Sequence, residues 1–130
     1  MKRIATALLL SFGAWLVATP ALAGTIAPYS AARFDRLTAA GDPVVLDIRA
    51  SWCPTCAAQK PIIDRLMKAP PYQQVTLLTI DFDRDHVALR RFHVAMQSTL
   101  VAFKGRTEVD RSVGDTSAAG LEALFAKTVH

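Results

Sequence analysis

Two stretches of this chain are almost all apolar or β-branched, Val44 to Ile48 and Val75 to Phe82, and between and after them apolar residues recur at helical spacing. Near-continuous runs of that character predict strands buried on both faces, as in a parallel sheet. Pro43 opens the first strand, which ends at Arg49. Ile62, Ile63, Leu66 and Met67 then form the stripe of a helix that starts near Cys53 and runs to about Lys68, where Ala69-Pro70-Pro71 stops it. Pro61 removes a backbone donor inside this helix and is expected to kink it. Upstream, Ser30 is placed to cap a helix over Ala31 to Ala40 with Phe34, Leu37 and Thr38 inward and Gly41 as its stop.

Downstream, Asp85 is placed to cap a short helix bearing Ala88, Leu89 and Phe92. Thr99 to Lys104 and Thr107 to Val113 read as a hairpin turning at Gly105-Arg106, and Thr116 or Ser117 caps a last helix carrying Leu121, Leu124 and Phe125. Thr25 to Ser30 reads as a loose arm. The order helix, strand, helix, strand, helix, strand, strand, helix predicts an α/β fold. Its βαβ unit plus ββα unit build a four-stranded mixed sheet with helices on both faces.

The first residues follow a different pattern. Met1-Lys2-Arg3 is a basic head, Ile4 to Val17 is apolar, and Ala21-Leu22-Ala23 fits the small-x-small cleavage rule, so residues 1–23 are expected to be a signal peptide. The alternative, a retained anchor, is disfavoured because a membrane span needs about 20 apolar residues. Cleavage after Ala23 leaves Gly24 to His130, enough for one small domain and no second. It also removes two of the fifteen basic residues, so the formal charge falls by two from +4. So small and scattered an excess argues against nucleic acid as a partner. Export points to the periplasm, where disulfides persist.

That compartment sharpens the reading of the cysteines. The chain has only two, in Trp52-Cys53-Pro54-Thr55-Cys56, with no third to form another bridge. A disulfide closing so short a loop removes little chain entropy and is a poor staple. At a helix N-terminus the free N–H groups and the macrodipole favour a thiolate at the first sulfur. A zinc site is the competing interpretation, but it needs four ligands and the three histidines lack metal-finger spacing. Reversible redox chemistry is the stronger expectation.

These residues resemble the thioredoxin family. The similarity is carried by Val44-Val45-Leu46-Asp47, Ala50-Ser51-Trp52-Cys53-Pro54-Thr55-Cys56, Pro61 and Thr99 to Gly105, and with the element order it spans nearly all of the chain after the leader. It implies a thioredoxin-like fold and a thiol–disulfide oxidoreductase whose only redox group is the Cys53/Cys56 pair, with no separate cofactor and no metal. Cys53, exposed at the helix start, is implied as nucleophile and Cys56, one turn deeper, as the resolving thiol. Asp47, a carboxylate in an apolar strand, matches the family's buried proton acceptor. The alternative for Asp47 is an ion pair with Arg49, two residues along on the same strand face. Arg49 is itself a departure, since thioredoxins usually carry an aromatic there.

Trp52, Pro54, Thr55, Gln97, Ser98 and Thr99 are the expected substrate-binding residues, although Trp52 also fits a plain core aromatic. Ser98 is the largest departure, because the family places a cis-proline before that threonine and uses the loop to pair with substrate backbone. A cis bond before serine costs about 2.5–4 kcal/mol, so a trans bond or a strained loop is expected. His86 and His93, seven apart, could share a helix face but read as surface residues. His130 reads as a disordered end, Asp81, Asp83 and Asp85 as caps and turn residues, and Lys60 as pointing to water.

Cys-Pro-Thr-Cys is similar to reductants of the cytochrome c maturation type, although the central insertion of those proteins is missing. The resemblance therefore implies a monomeric reductase of protein disulfides, recharged by a membrane disulfide reductase. A non-enzymatic metal- or apoprotein-binding module using the thiols as ligands is the alternative.

Overall fold

A computed structural model describes residues 23–130, so the expected leader falls outside the described residues except for Ala23. The elements are β1 (Thr25–Pro28), α1 (Ala31–Ala39), β2 (Pro43–Arg49), α2 (Pro54–Lys68), a 3-10 turn at Pro70–Tyr72, β3 (Thr76–Asp81), α3 (His86–Arg91), β4 (Thr99–Lys104), β5 (Thr107–Val113) and α4 (Ala118–Val129). The sheet order is β1-β3-β2-β4-β5, with β1 and β2 parallel to β3 and the β2–β4 and β4–β5 pairs antiparallel.

The sheet thus has five strands where the hydrophobic pattern predicts four. The extra one is β1, expected to be a loose arm. Its backbone pairs in register from Thr25 with Thr76 to Pro28 with Thr79, an edge position in which Pro28 is tolerated and Ile26 stays 48% exposed. Gly24 locks the approach: its N–H donates to the Met67 carbonyl at 2.8 Å, and a Cβ there would stand 2.6 Å from Met67 Cε.

Alternation along β2 divides the core. Val44, Leu46 and Ile48 pack with Phe34, Leu89 and Phe92 of the α1/α3 layer. Val45 packs on the other face, with Ile63, Leu66 and Met67 of α2 and Leu121, Leu124 and Phe125 of α4. Asp47 shares the parity of Val45 and therefore points toward α2.

Local signals set the helix ends. Ser30 accepts from Arg33 N at 3.2 Å and Ser117 from Gly120 N at 3.1 Å. Gly41, with φ +83°, takes the left-handed position after α1. Asp85 sits at the cap position of α3, but its carboxylate accepts the N–H of Asp81 at 3.0 Å instead of capping that helix. α2 runs as one helix through Pro61. His130 is tied in, its N–H bonded to Ala126 O and its carbonyl to Lys104 Nζ.

Candidate active site

β2, the central strand of the sheet, ends at Arg49, and Ala50-Ser51-Trp52 turns the chain from it into α2. Cys53 is the N-cap of α2, with φ −85° and ψ 109°, and its Sγ accepts the N–H of Cys56 at 3.1 Å. Pro54 follows at a position where its missing N–H leaves no bond unmade. No acidic residue stands in the first turn to oppose negative charge on sulfur. Cys53 and Cys56 are joined as a disulfide with Cα atoms 5.3 Å apart, within the span a disulfide bridges without backbone movement.

The exposure order differs from expectation. Cys53 is only 3% exposed while Cys56 is half-buried. The cap position draws Cys53 inward, its N–H reaching Ala50 O at 3.3 Å, whereas Cys56 sits on the flank of α2 beside a cleft. That cleft, of about 160 Å³, is bordered by both cysteines together with Asp47, Arg49, Lys60 and Asp64.

Asp47 is 4% exposed, and its carboxyl is pushed from the ordinary 3.8 up to about 6. Burial is the main cause; Arg49 opposes it, Asp64 adds to it and Lys60 opposes it. Arg49 Nη1 lies 3.8 Å from Asp47 Oδ2, beyond hydrogen-bond range, with the arginine side chain 43% exposed. The ion pair thus exists, yet desolvation outweighs it, leaving a carboxyl able to take up or release a proton close to neutrality. Lys60 does reach solvent, while its Nζ holds Asp64 Oδ2 at 2.6 Å on the rim of the cleft.

Trp52 is not a core aromatic. It is 56% exposed, and its indole N–H donates to Asp83 Oδ2 at 2.8 Å. Asp83 is in turn held by its N–H on Asp81 Oδ1 at 2.9 Å. Pro54 is exposed, and Thr55 and Gln97 are half-buried.

Ser98 follows a trans bond, there being no cis peptide among the described residues, and its φ is +55°. Its hydroxyl donates to Gln97 O, and its carbonyl accepts from Gly114 N at 2.9 Å and from Gln59 Nε2 at 3.3 Å. Thr99 is buried, its Oγ1 donating to Met96 O at 2.7 Å. His86 and His93 are exposed and do not share one helix face, because His93 lies beyond α3 with φ +52°.

Two residues at the site escape the sequence reading. Asp83 was legible only as one member of an alternating acidic turn. Gln59 had a stronger signal: it extends the stripe of α2 four residues before Ile63, a spacing that predicts burial of a polar side chain.

The thioredoxin family profile matches residues 25–127. The chain belongs to the thioredoxin family. It is 36% identical over 84 residues to a thioredoxin of Chlamydia muridarum, covering 65% of this chain and 80% of that one. It is 33% identical over 96 residues to thioredoxin-2 of Saccharomyces cerevisiae, covering 73% and 90%. Among solved structures, Trxlp from Edwardsiella tarda superposes with a TM-score of 0.75 at 37% identity over 77% of this chain and 98% of that one. With its Cys53–Cys56 pair in place, this thioredoxin-family member is a thiol–disulfide oxidoreductase acting on protein thiols and disulfides. That sets aside the passive ligand module.

Proposed function

We propose that this thioredoxin-family protein is exported to the periplasm, is cleaved after Ala23, and works there as a monomeric reductase of protein disulfides. The observation that carries the mechanism is the shared cleft, which sets a buried, proton-ready Asp47 beside a dithiol pair capping a helix. In the reduced enzyme the Cys53 thiolate, favoured by the Cys56 N–H and the α2 dipole, attacks a substrate disulfide. A Cys53–substrate disulfide forms and one substrate thiolate leaves. Asp47 accepts the Cys56 proton, directly or through water in the cleft, and the Cys56 thiolate attacks Cys53 Sγ. The second substrate thiolate leaves, and the two electrons given up appear as the Cys53–Cys56 disulfide. The pair itself carries the electrons, so no bound cofactor takes part, and a membrane disulfide reductase returns it to the dithiol.

Trp52, Pro54, Thr55 and Gln97 form the surface a substrate meets, with Ser98 and Thr99 buried directly behind it. Cleavage after Ala23 would keep every strand of the sheet, with Gly24 still bonded to the Met67 carbonyl at 2.8 Å. The similarity of Cys-Pro-Thr-Cys to cytochrome c maturation reductants supports the reducing direction.

The test has three arms. Cys56→Ala should accumulate mixed disulfides at Cys53 in periplasmic extracts, identified by mass spectrometry. The reduction potential of the pair should lie near about −270 mV, the thioredoxin value, and a potential near about −120 mV would overturn the reducing direction. N-terminal sequencing of the exported protein should begin at Gly24.

A further inference from the structure

We infer that Gln59 is a positioning residue whose buried amide sets the Gln97-Ser98 segment against which a substrate polypeptide lies, and so favours protein disulfides over small ones. The inference rests on the proposed reading of Gln97, with Ser98 and Thr99 behind it, as the peptide-facing edge of the site.

Gln59 stands three residues beyond Cys56 on α2 and is 1% exposed. Its Nε2 donates to two carbonyls far away in sequence, Ser98 O at 3.3 Å and Asp115 O at 2.9 Å. Ser98 immediately precedes β4 and Asp115 follows β5, so one amide ties the open end of the β4–β5 hairpin to the helix that carries the cysteines. The Gly114 N–H on Ser98 O closes the same corner. The register of Thr99 with Ile48 puts Ser98 beside the end of β2 from which the cysteine turn departs.

Two features show that Gln59 does more than fill space. Ser98 adopts φ +55° without being glycine, a conformation that persists only where the surroundings enforce it. Here the enforcing groups are the Gly114 N–H and the Gln59 amide. Second, Gln59 Oε1 is buried with no hydrogen-bond partner among the described residues. A position that only packs is better filled by leucine or methionine, which bury no orphan oxygen. Glutamine is of use here for the two bonds its nitrogen makes. A polypeptide pairing with the backbone of 97–98 depends on where those groups point, whereas a small disulfide needs only the sulfur of Cys53.

The test compares insulin with a small aromatic disulfide as substrates for the full exported protein and for Gln59→Met, which keeps the length and loses the donor. The KM for insulin should rise about five- to ten-fold, the scale of one or two lost hydrogen bonds. The kcat, the reduction potential and the rate with the small disulfide should be unchanged. Equal losses with both substrates, or none with either, overturn the role of Gln59. Should Gln59→Met not fold, Gln59→Glu serves, since it keeps an O–H donor only while protonated. Its KM for insulin, relative to the unaltered protein's, should climb with pH while the small-disulfide ratio stays flat, and two flat ratios overturn the role. An unaltered protein that reduces the small disulfide but not insulin overturns the protein-reductase reading itself.

Discussion

Replacing Asp47 with asparagine removes a charge that the fold holds at a loss. The carboxyl has an ordinary value of 3.8 and about 6 in the folded protein, with burial as the leading cause. Below pH 3.8 the group is neutral in both states and does not affect stability. Between that value and about 6 the unfolded chain ionises while the folded one keeps its proton. The folded state then binds more protons, so stability falls as pH rises and levels off above the folded value. At 1.36 kcal/mol per unit, the penalty at pH 7.5 is about 3 kcal/mol. Asp47→Asn, neutral and nearly isosteric, should therefore stabilise the oxidised protein by about 2–3 kcal/mol at pH 7.5 and by almost nothing at pH 3.5. Urea unfolding followed by circular dichroism at both pH values reads this as a midpoint rising by roughly 1–2 M at the higher pH alone. The same variant should resolve its mixed disulfide more slowly. A gain equal at both pH values, or a loss at pH 7.5, would refute the reasoning.

Three further outcomes follow from the same geometry. Arg49→Met withdraws the nearest opposing charge, so the Asp47 carboxyl should move above its present value, seen by NMR titration and by an upward shift of the pH profile of disulfide reduction. Asp83→Ala frees the Trp52 indole; because that ring is half exposed, stability should fall by less than about 1 kcal/mol, while Trp52 fluorescence anisotropy drops and the KM for a protein substrate rises a few-fold. Gly24→Ala drives a methyl into Met67 Cε and the Val75 carbonyl, and should cost about 1–3 kcal/mol in thermal unfolding, with faster hydrogen exchange at Thr25.

What could be read in the chain follows the range of the interactions. β2, β3 and the stripes of α2 and α4 bury side chains in a local period, so Val44 to Ile48 or Leu121, Leu124 and Phe125 announce themselves. The cysteine turn is equally local, since cap, proline and both thiols lie within four residues. β1 has no such mark: its attachment to β3 is made by backbone groups, which every residue carries, and its single large aliphatic residue, Ile26, faces partly outward. The bonds from Trp52 to Asp83 and from Gln59 to Ser98 and Asp115 span 31, 39 and 56 residues, and only the folded topology brings those partners together. The inward position of Cys53 is of the same kind, for it depends on how tightly the turn after β2 closes on Ala50.

The pairing of Thr25 with Thr76 also sets a clock on the nascent chain. β1 emerges first but has no template until some fifty further residues have followed, an interval of roughly 3–10 s at about 5–20 residues per second. On the proposed export route, the junction at Ala23–Gly24 lacks its strand partner during that time and stays open to a signal peptidase. Once β3 arrives, Gly24 is fastened to Met67 and the same junction borders a closed sheet. On that same proposal, timing, and not the sequence around Ala23 alone, decides whether cutting precedes folding: slowed cleavage should leave a folded precursor that resists the peptidase.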